Sequence, residues 1–317
     1  MPLVKSSLKS VAIFIAKLAV TVALFYLIAH NIDPAQIEAQ IISLDPVHIL
    51  LAALLLYLQI LLVSGRWVWM LRFYKTAFSL RTAIRLSIEG SFFNQALPSG
   101  IGGDAIRILR CRQYGIGTGI AVSSILMDRI VGLAALLMMA LAAMPAIWAA
   151  DPMGLTANGA FMAILIGFAG LAFLLAFPFM PEKLRRPRAM DALGALGERA
   201  ALFLIKPKAA LPTLCLSLLS HACTILAMYQ IGQALGTDIP PHALFMVAPV
   251  ALLIIVLPVS VGGWGLREGT MIQGLAIFNV ANESALTLSI LFGLLNIVIN
   301  IPGGLLWLAA RKEETAS

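Results

Sequence analysis

Two stretches of the sequence carry the same chemistry. The first reads Leu97-Pro98-Ser99-Gly100-Ile101-Gly102-Gly103-Asp104-Ala105-Ile106-Arg107. The second reads Leu257-Pro258-Val259-Ser260-Val261-Gly262-Gly263-Trp264-Gly265-Leu266-Arg267. Both fit L-P-x-x-x-G-G-x-x-x-R, 160 residues apart. Proline ends an incoming helix. A glycine pair admits backbone conformations and close approaches that side chains forbid. An outgoing helix then starts with free N–H groups and a positive dipole end, which suits an anion. Arg107 and Arg267 fall about one turn into that helix, where a guanidinium can grip a phosphate through two parallel bonds.

Other polar groups lie in apolar surroundings. Asp128-Arg129 sits about 15 Å into a long apolar run, where charges are costly and mark either function or a buried ion pair. Arg267-Glu268 is a similar pair at the second tip. Glu89 and Arg85, four apart, can satisfy each other. Asn94 and Gln95 lie one turn before the first tip, where an amide can bond substrate or cap exposed backbone. His221 reads as a satisfied interhelical hydrogen bond, and Asn296 and Asn300 read as glue between helices. The candidate binding set is Asn94, Pro98, Gly102, Gly103, Asp104, Arg107, Asp128, Arg129, Pro258, Gly262, Gly263, Arg267 and Glu268. In it Arg107, Arg129 and Arg267 hold an anion in one pocket between the two tips. Asp104, Asp128 and Glu268 orient them or carry a coupling proton. The alternative is structural: Arg107 paired with Asp104, and Arg267 with Glu268.

The elements that position these residues follow from composition. The chain has 317 residues, 61% hydrophobic and 12% charged, with mean hydropathy +0.96. A soluble domain carries about 25% charged residues. The chain cannot coat a soluble surface of its size, which excludes a cytosolic enzyme, a secreted disulfide scaffold and a disordered protein. The formal charge of +7 therefore points to lipid head groups rather than nucleic acid. Cys111, Cys215 and Cys223 show no metal-ligand spacing and read as free thiols. There is no phosphate-binding G-x-x-x-x-G-K-[ST], no H-E-x-x-H and no G-x-S-x-G. Residues 181–210 form the longest cytoplasmic loop, too short for a catalytic domain. No enzyme activity, metal or cofactor is expected.

The reading predicts an all-α polytopic membrane bundle, because lipid gives the backbone no hydrogen bonds and no alternating barrel pattern appears. Spans are expected at 11–29, 48–64, 119–148, 160–180, 211–235 and 285–309, the first uncleaved. Nineteen of the 22 Lys and Arg fall in segments 1–10, 65–85, 104–118, 181–210 and 311–317. Segments 30–47, 149–157 and 236–243 carry none, which puts both termini in the cytoplasm. Only Lys17, Arg129 and Arg267 remain inside apolar territory. Segments 81–113 and 242–279 enter and leave on one side, so they are expected as re-entrant hairpins buried in protein. Each half, 1–149 and 158–310, then reads span, span, hairpin, span, in opposite orientations. That is the pattern of transporters built from inverted repeats with a site near the midplane. A reporter fused at Arg186 should be cytoplasmic and one at Asp151 external. A cytoplasmic signal at Asp151 would overturn the topology and the inverted repeat with it.

The stretch from Asn94 to Arg129, N-Q-A-L-P-S-G-I-G-G-D-A-I-R followed by S-S-I-L-M-D-R-I-V-G, resembles the transmembrane region of lysylphosphatidylglycerol synthases. So does L-P-V-S-V-G-G-W-G-L-R-E-G from Leu257. This is the flippase-like domain family, and the likeness spans nearly the whole chain. It implies a multi-pass protein of the bacterial inner membrane, related to the lipid-translocating half of those synthases. The aminoacyl-transferase domain of full-length relatives is not present in these residues, so lipid aminoacylation is not expected of them. Asp128 stands where many relatives have Glu, one methylene longer.

The leading expectation is a translocator whose substrate is a phospholipid or polyprenyl-phosphate type lipid, moved downhill or by ion coupling. One rival is a secondary carrier for a small anion. Another is a membrane enzyme, or a non-transporting subunit partnered by a separately encoded lipid-synthesis enzyme.

Overall fold

A computed structural model describes residues 2–29, 33–96, 102–151, 154–179, 197–255 and 260–316, with side chains from Ile15 to Ala309 apart from those of Ala29, Leu155 and Pro178. Pro98 and Pro258 lie outside the described residues. Among the described residues all regular structure is helical: α1 (Pro2–Ala29), α2 (Pro34–Ile42), α3 (Pro46–Phe73), α4 (Leu80–Ala96), α5 (Gly102–Gln113), α6 (Thr118–Ala150), α7 (Leu155–Ala176), α8 (Pro207–Ala234), α9 (Pro241–Ile255), α10 (Leu266–Ala276) and α11 (Asn282–Ala316). A short helix also covers 197–204.

Helix starts follow local chemistry. Asp33 and Asp45 cap α2 and α3 by accepting the Ala35 and Val47 N–H groups at 2.9 and 2.8 Å, and proline follows each cap. Proline at the first helical position gives up an N–H that would have no partner anyway. The segment 30–47 is thus partly helical rather than a plain loop.

Among the described residues, five helices are long and apolar enough to cross a membrane: α3, α6, α7, α8 and α11. The chain is a multi-pass membrane protein. Helix α1 has 28 residues, of which the described apolar part, Ile15–Ile28, is shorter than a span. The second span runs on to Phe73, nine residues beyond the expected end at Ser64, so Arg66 and Arg72 belong to a helix rather than a loop.

The central seam is α3 lying along α8, with Ala52 and Leu56 packed among Ile225, Met228 and Ile231. Around it the packing repeats. Helix α4 packs on α5 and on α11, while α9 packs on α10 and on α6. Helices α5 and α6 touch, as do α10 and α11. A second apolar core joins α6, α7 and α9 through Leu137, Met144, Ile164 and Val250. Glycine makes two crossings possible. A methyl group on Gly103 of α5 would lie 2.6 Å from the Gly90 carbonyl carbon of α4. One on Gly303 of α11 would lie 2.8 Å from the Ile88 carbonyl carbon.

Candidate functional site

Helices α3, α5, α6 and α8 bring five charged side chains together. Arg66, on the extension of α3, donates from Nε to Asp128 Oδ1 at 2.7 Å and from Nη1 to Ser217 Oγ at 2.6 Å. Arg107 approaches both carboxylates, Asp104 Oδ1 at 3.6 Å and Asp128 Oδ2 at 3.9 Å. Arg129 makes a two-pronged contact with Asp104 at 2.9 and 3.1 Å. Arg66, Arg107, Asp104 and Asp128 are all buried, whereas the Arg129 side chain is 53% exposed. Aromatic packing fixes one wall. The Trp67 ring lies 4.1 Å from the Arg107 guanidinium carbon, and its own N–H donates to Ser124 Oγ at 3.1 Å.

Three guanidinium groups here meet two carboxylates, so the group carries one excess positive charge. Among the described residues, Nε and Nη2 of Arg107 are buried without a hydrogen-bond partner. A buried donor left unpaired is costly, and more so when charged. The arrangement therefore favours an added acceptor.

Start of α5 is organised by its neighbour. Asn94 Oδ1 accepts the Gly103 N–H at 3.0 Å, so this amide caps exposed backbone. Gly102 and Gly103 are buried against α4. On α4, Glu89 is buried between Arg85 at 3.1 Å and Arg110 at 3.4 Å. Cys111 on α5 is fully buried.

The second tip is built differently. Gly262, Gly263 and Gly265 have φ of 60°, 78° and 86°, a region that favours glycine. Glu268 Oε2 accepts the Gly265 N–H at 2.6 Å and so closes the start of α10. Its other oxygen takes Arg267 Nη2 at 2.5 Å and Nε at 3.1 Å, and Ser289 Oγ at 3.2 Å. Arg267 also donates to Ser289 Oγ at 2.9 Å and lies against Trp264 and Phe292. Helix α1 leans on this tip, with Thr21 Oγ1 accepting the Val261 N–H at 3.1 Å. Arg267 and Glu268 form a buried, neutral pair, which matches the structural alternative for these two residues.

Sequence reasoning expected Arg107 and Arg267 in one pocket. Among the described residues no hydrogen bond or ion pair joins their two groups. Asp128 and Arg129 likewise do not pair with each other. Consecutive helical residues point about 100° apart, so Asp128 turns to Arg66 while Arg129 turns to Asp104. Arg66 is absent from the candidate set because basic residues ordinarily mark the end of a span. The apolar run Trp67-Val68-Trp69-Met70-Leu71 after it was the available signal. His221 meets the Gly132 carbonyl of α6 at 3.0 Å, as expected of an interhelical bond. Asn296 and Asn300 instead donate to carbonyls four residues back on their own helix.

Among the described residues no cluster of His, Cys, Asp or Glu has a metal-binding arrangement. A model of the lysylphosphatidylglycerol synthase TM region matches residues 14–304. No curated protein matches the chain.

Proposed function

We propose that this chain, which belongs to the lysylphosphatidylglycerol synthase TM region family, moves a lipid with an anionic head group between membrane leaflets. The family ties the chain to lipid or envelope synthesis or flipping. The observation that carries the finer reading is the buried group of Asp104, Arg107, Asp128 and Arg129, with its excess positive charge among membrane-crossing helices. Charged groups among apolar membrane helices are costly and mark binding or transport paths by default, which suits a carrier of anionic head groups.

The mechanism follows from the packing. Residues 1–149 and 158–310 act as halves of opposite orientation, with the α4/α5 and α9/α10 pairs as re-entrant hairpins. Supporting this, exchanging the halves maps the contact of α4 with α11 onto that of α9 with α6, and keeps the α3/α8 seam in place. The head group sits at the arginine-rich hairpin while acyl or prenyl chains stay in the bilayer. Rocking of the halves about the α3/α8 seam opens the site to each leaflet in turn. Arg267 and Glu268 hold the second hairpin rigid. Both termini face the cytoplasm, in the inner membrane of a bacterium, by the distribution of Lys and Arg.

The test is reconstitution of the purified chain in liposomes carrying fluorescent phosphatidylglycerol, with dithionite quenching of the outer leaflet. Protein-containing vesicles should lose the protected inner-leaflet pool faster than empty vesicles. Equal rates with phosphatidylglycerol and with a fluorescent polyprenyl phosphate, at or below the empty-vesicle rate, would sink the translocator.

A further inference from the structure

We infer that a phosphate-type anion binds in the first half alone, at the unpaired edge of Arg107, with Arg129 as second ligand and Arg66 as positioning residue. This rests on the carrier reading and locates its site.

Charge decides between the halves. Arg66, Arg107 and Arg129 face Asp104 and Asp128, leaving one positive charge uncompensated. Arg267 and Glu268 cancel, and Glu268 has both oxygens occupied. An anion near α10 would compete with Glu268, whereas one near α5 completes an incomplete set.

Hydrogen bonding gives the approach. Arg107 is 6% exposed, and its Nε and Nη2 are the unpartnered donors. These two nitrogens form one edge of the guanidinium plane, the edge that binds two oxygens of a phosphate or carboxylate side by side. Trp67 stacks at 4.1 Å and covers a face, and Gly90 leaves room for the stem. These contacts favour an in-plane approach to the unpaired edge. Arg129 is the one half-exposed cation of the group. It can turn from Asp104 toward an arriving anion without breaking a fully buried pair.

Arg66 acts through Asp128. Its two short bonds, to Asp128 Oδ1 and Ser217 Oγ, hold that carboxylate so that Oδ2 faces Arg107 at 3.9 Å. At that separation Asp128 steadies the guanidinium without occupying its unpaired edge.

The shared chemistry, a tetrahedral oxyanion, can come from a lipid head group or from free phosphate. The experiment uses the full chain in dodecyl maltoside micelles, which carry no phosphate group, and follows thermal unfolding. One arm adds phosphatidylglycerol to the micelles and the other adds inorganic phosphate. Wild type should gain stability in the lipid arm. Arg107→Lys keeps the charge but loses the planar edge, and should bind at least about tenfold more weakly. Arg129→Gln should also weaken binding, and serves as the deciding variant if Arg107→Lys gives no folded protein. Arg112→Gln removes an exposed charge from the same helix and should bind like wild type. Stabilisation by inorganic phosphate alone would keep the site and overturn the lipid reading. Stabilisation by neither anion overturns the inference, while the liposome assay judges transport separately. Binding lost in Arg267→Lys but kept in Arg107→Lys and Arg129→Gln overturns it as well.

Discussion

Asp128→Leu is expected to remove most of the folded protein from the membrane. The carboxylate is 3% exposed and accepts Arg66 Nε at 2.7 Å. Its loss leaves one buried guanidinium without its anion and a second without a neighbour. Breaking a buried pair by removing one partner costs about 3–5 kcal/mol, a large share of the stability of most domains. Removing both partners should be far milder, because the desolvation penalty goes with them. Counting 160 residues on from Asp128 arrives at Leu288, which is fully buried, so the second half already carries leucine at that place. Arg66→Leu combined with Asp128→Leu should therefore recover yield, measured as monodisperse protein extracted from membranes. It should not recover transport, because Arg107 loses its anchored neighbour. Normal yield from Asp128→Leu alone would mean that the pair is hydrated and contributes little.

Gly103→Ala should have the second largest effect, by a different route. The added methyl falls on the Gly90 carbonyl, 2.6 Å from its carbon and 2.8 Å from Asn94 Cγ. Backbone is the obstacle, so no rotamer change relieves the clash. Helices α4 and α5 must part, which costs more than the usual 1–3 kcal/mol or so of an overpacked core. The parting also breaks the Asn94 cap and shifts Asp104 and Arg107, which follow Gly103 within about one turn. Gly65→Ala is the control. Nothing lies within 4 Å of its methyl, and alanine favours the helix by roughly 1 kcal/mol. Transport and unfolding temperature should fall sharply in Gly103→Ala and hold or rise in Gly65→Ala. Equal behaviour of the two would show that the crossing tolerates separation.

The all-helical membrane bundle was legible because the decisive quantity, apolar length, is written along the chain and needs no partner to be read. The starts of α5 and α10 were legible for the same reason: glycines just before or at a helix start act locally. The partners of each charge were not. Arg66 looks like a loop residue by the rule that basic residues flank spans, yet it is buried because Asp128 and Ser217, 62 and 151 residues away, meet it. Asp128-Arg129 reads as a pair along the sequence and separates once helical geometry turns the two side chains apart. Arg267-Glu268 reads the same way and does pair, because Glu268 reaches back to the Gly265 N–H at a helix start. Nothing in either tip says whether it faces the other. That depends on how the halves pack, which is a property of several helices at once.

The stack of Trp67 on Arg107 joins the end of α3 to the middle of α5. Trp67 is fully buried, so solvent does not govern its emission. The Arg107 guanidinium carbon lies 4.1 Å from its ring centre. Indole emission responds to the local electric field, so a change in distance between α3 and α5 alters the colour and lifetime of Trp67. Once the other four tryptophans are replaced by phenylalanine, the chain becomes its own optical gauge. Its excited state then reports, in real time and without an attached dye, when the arginine-bearing helix moves.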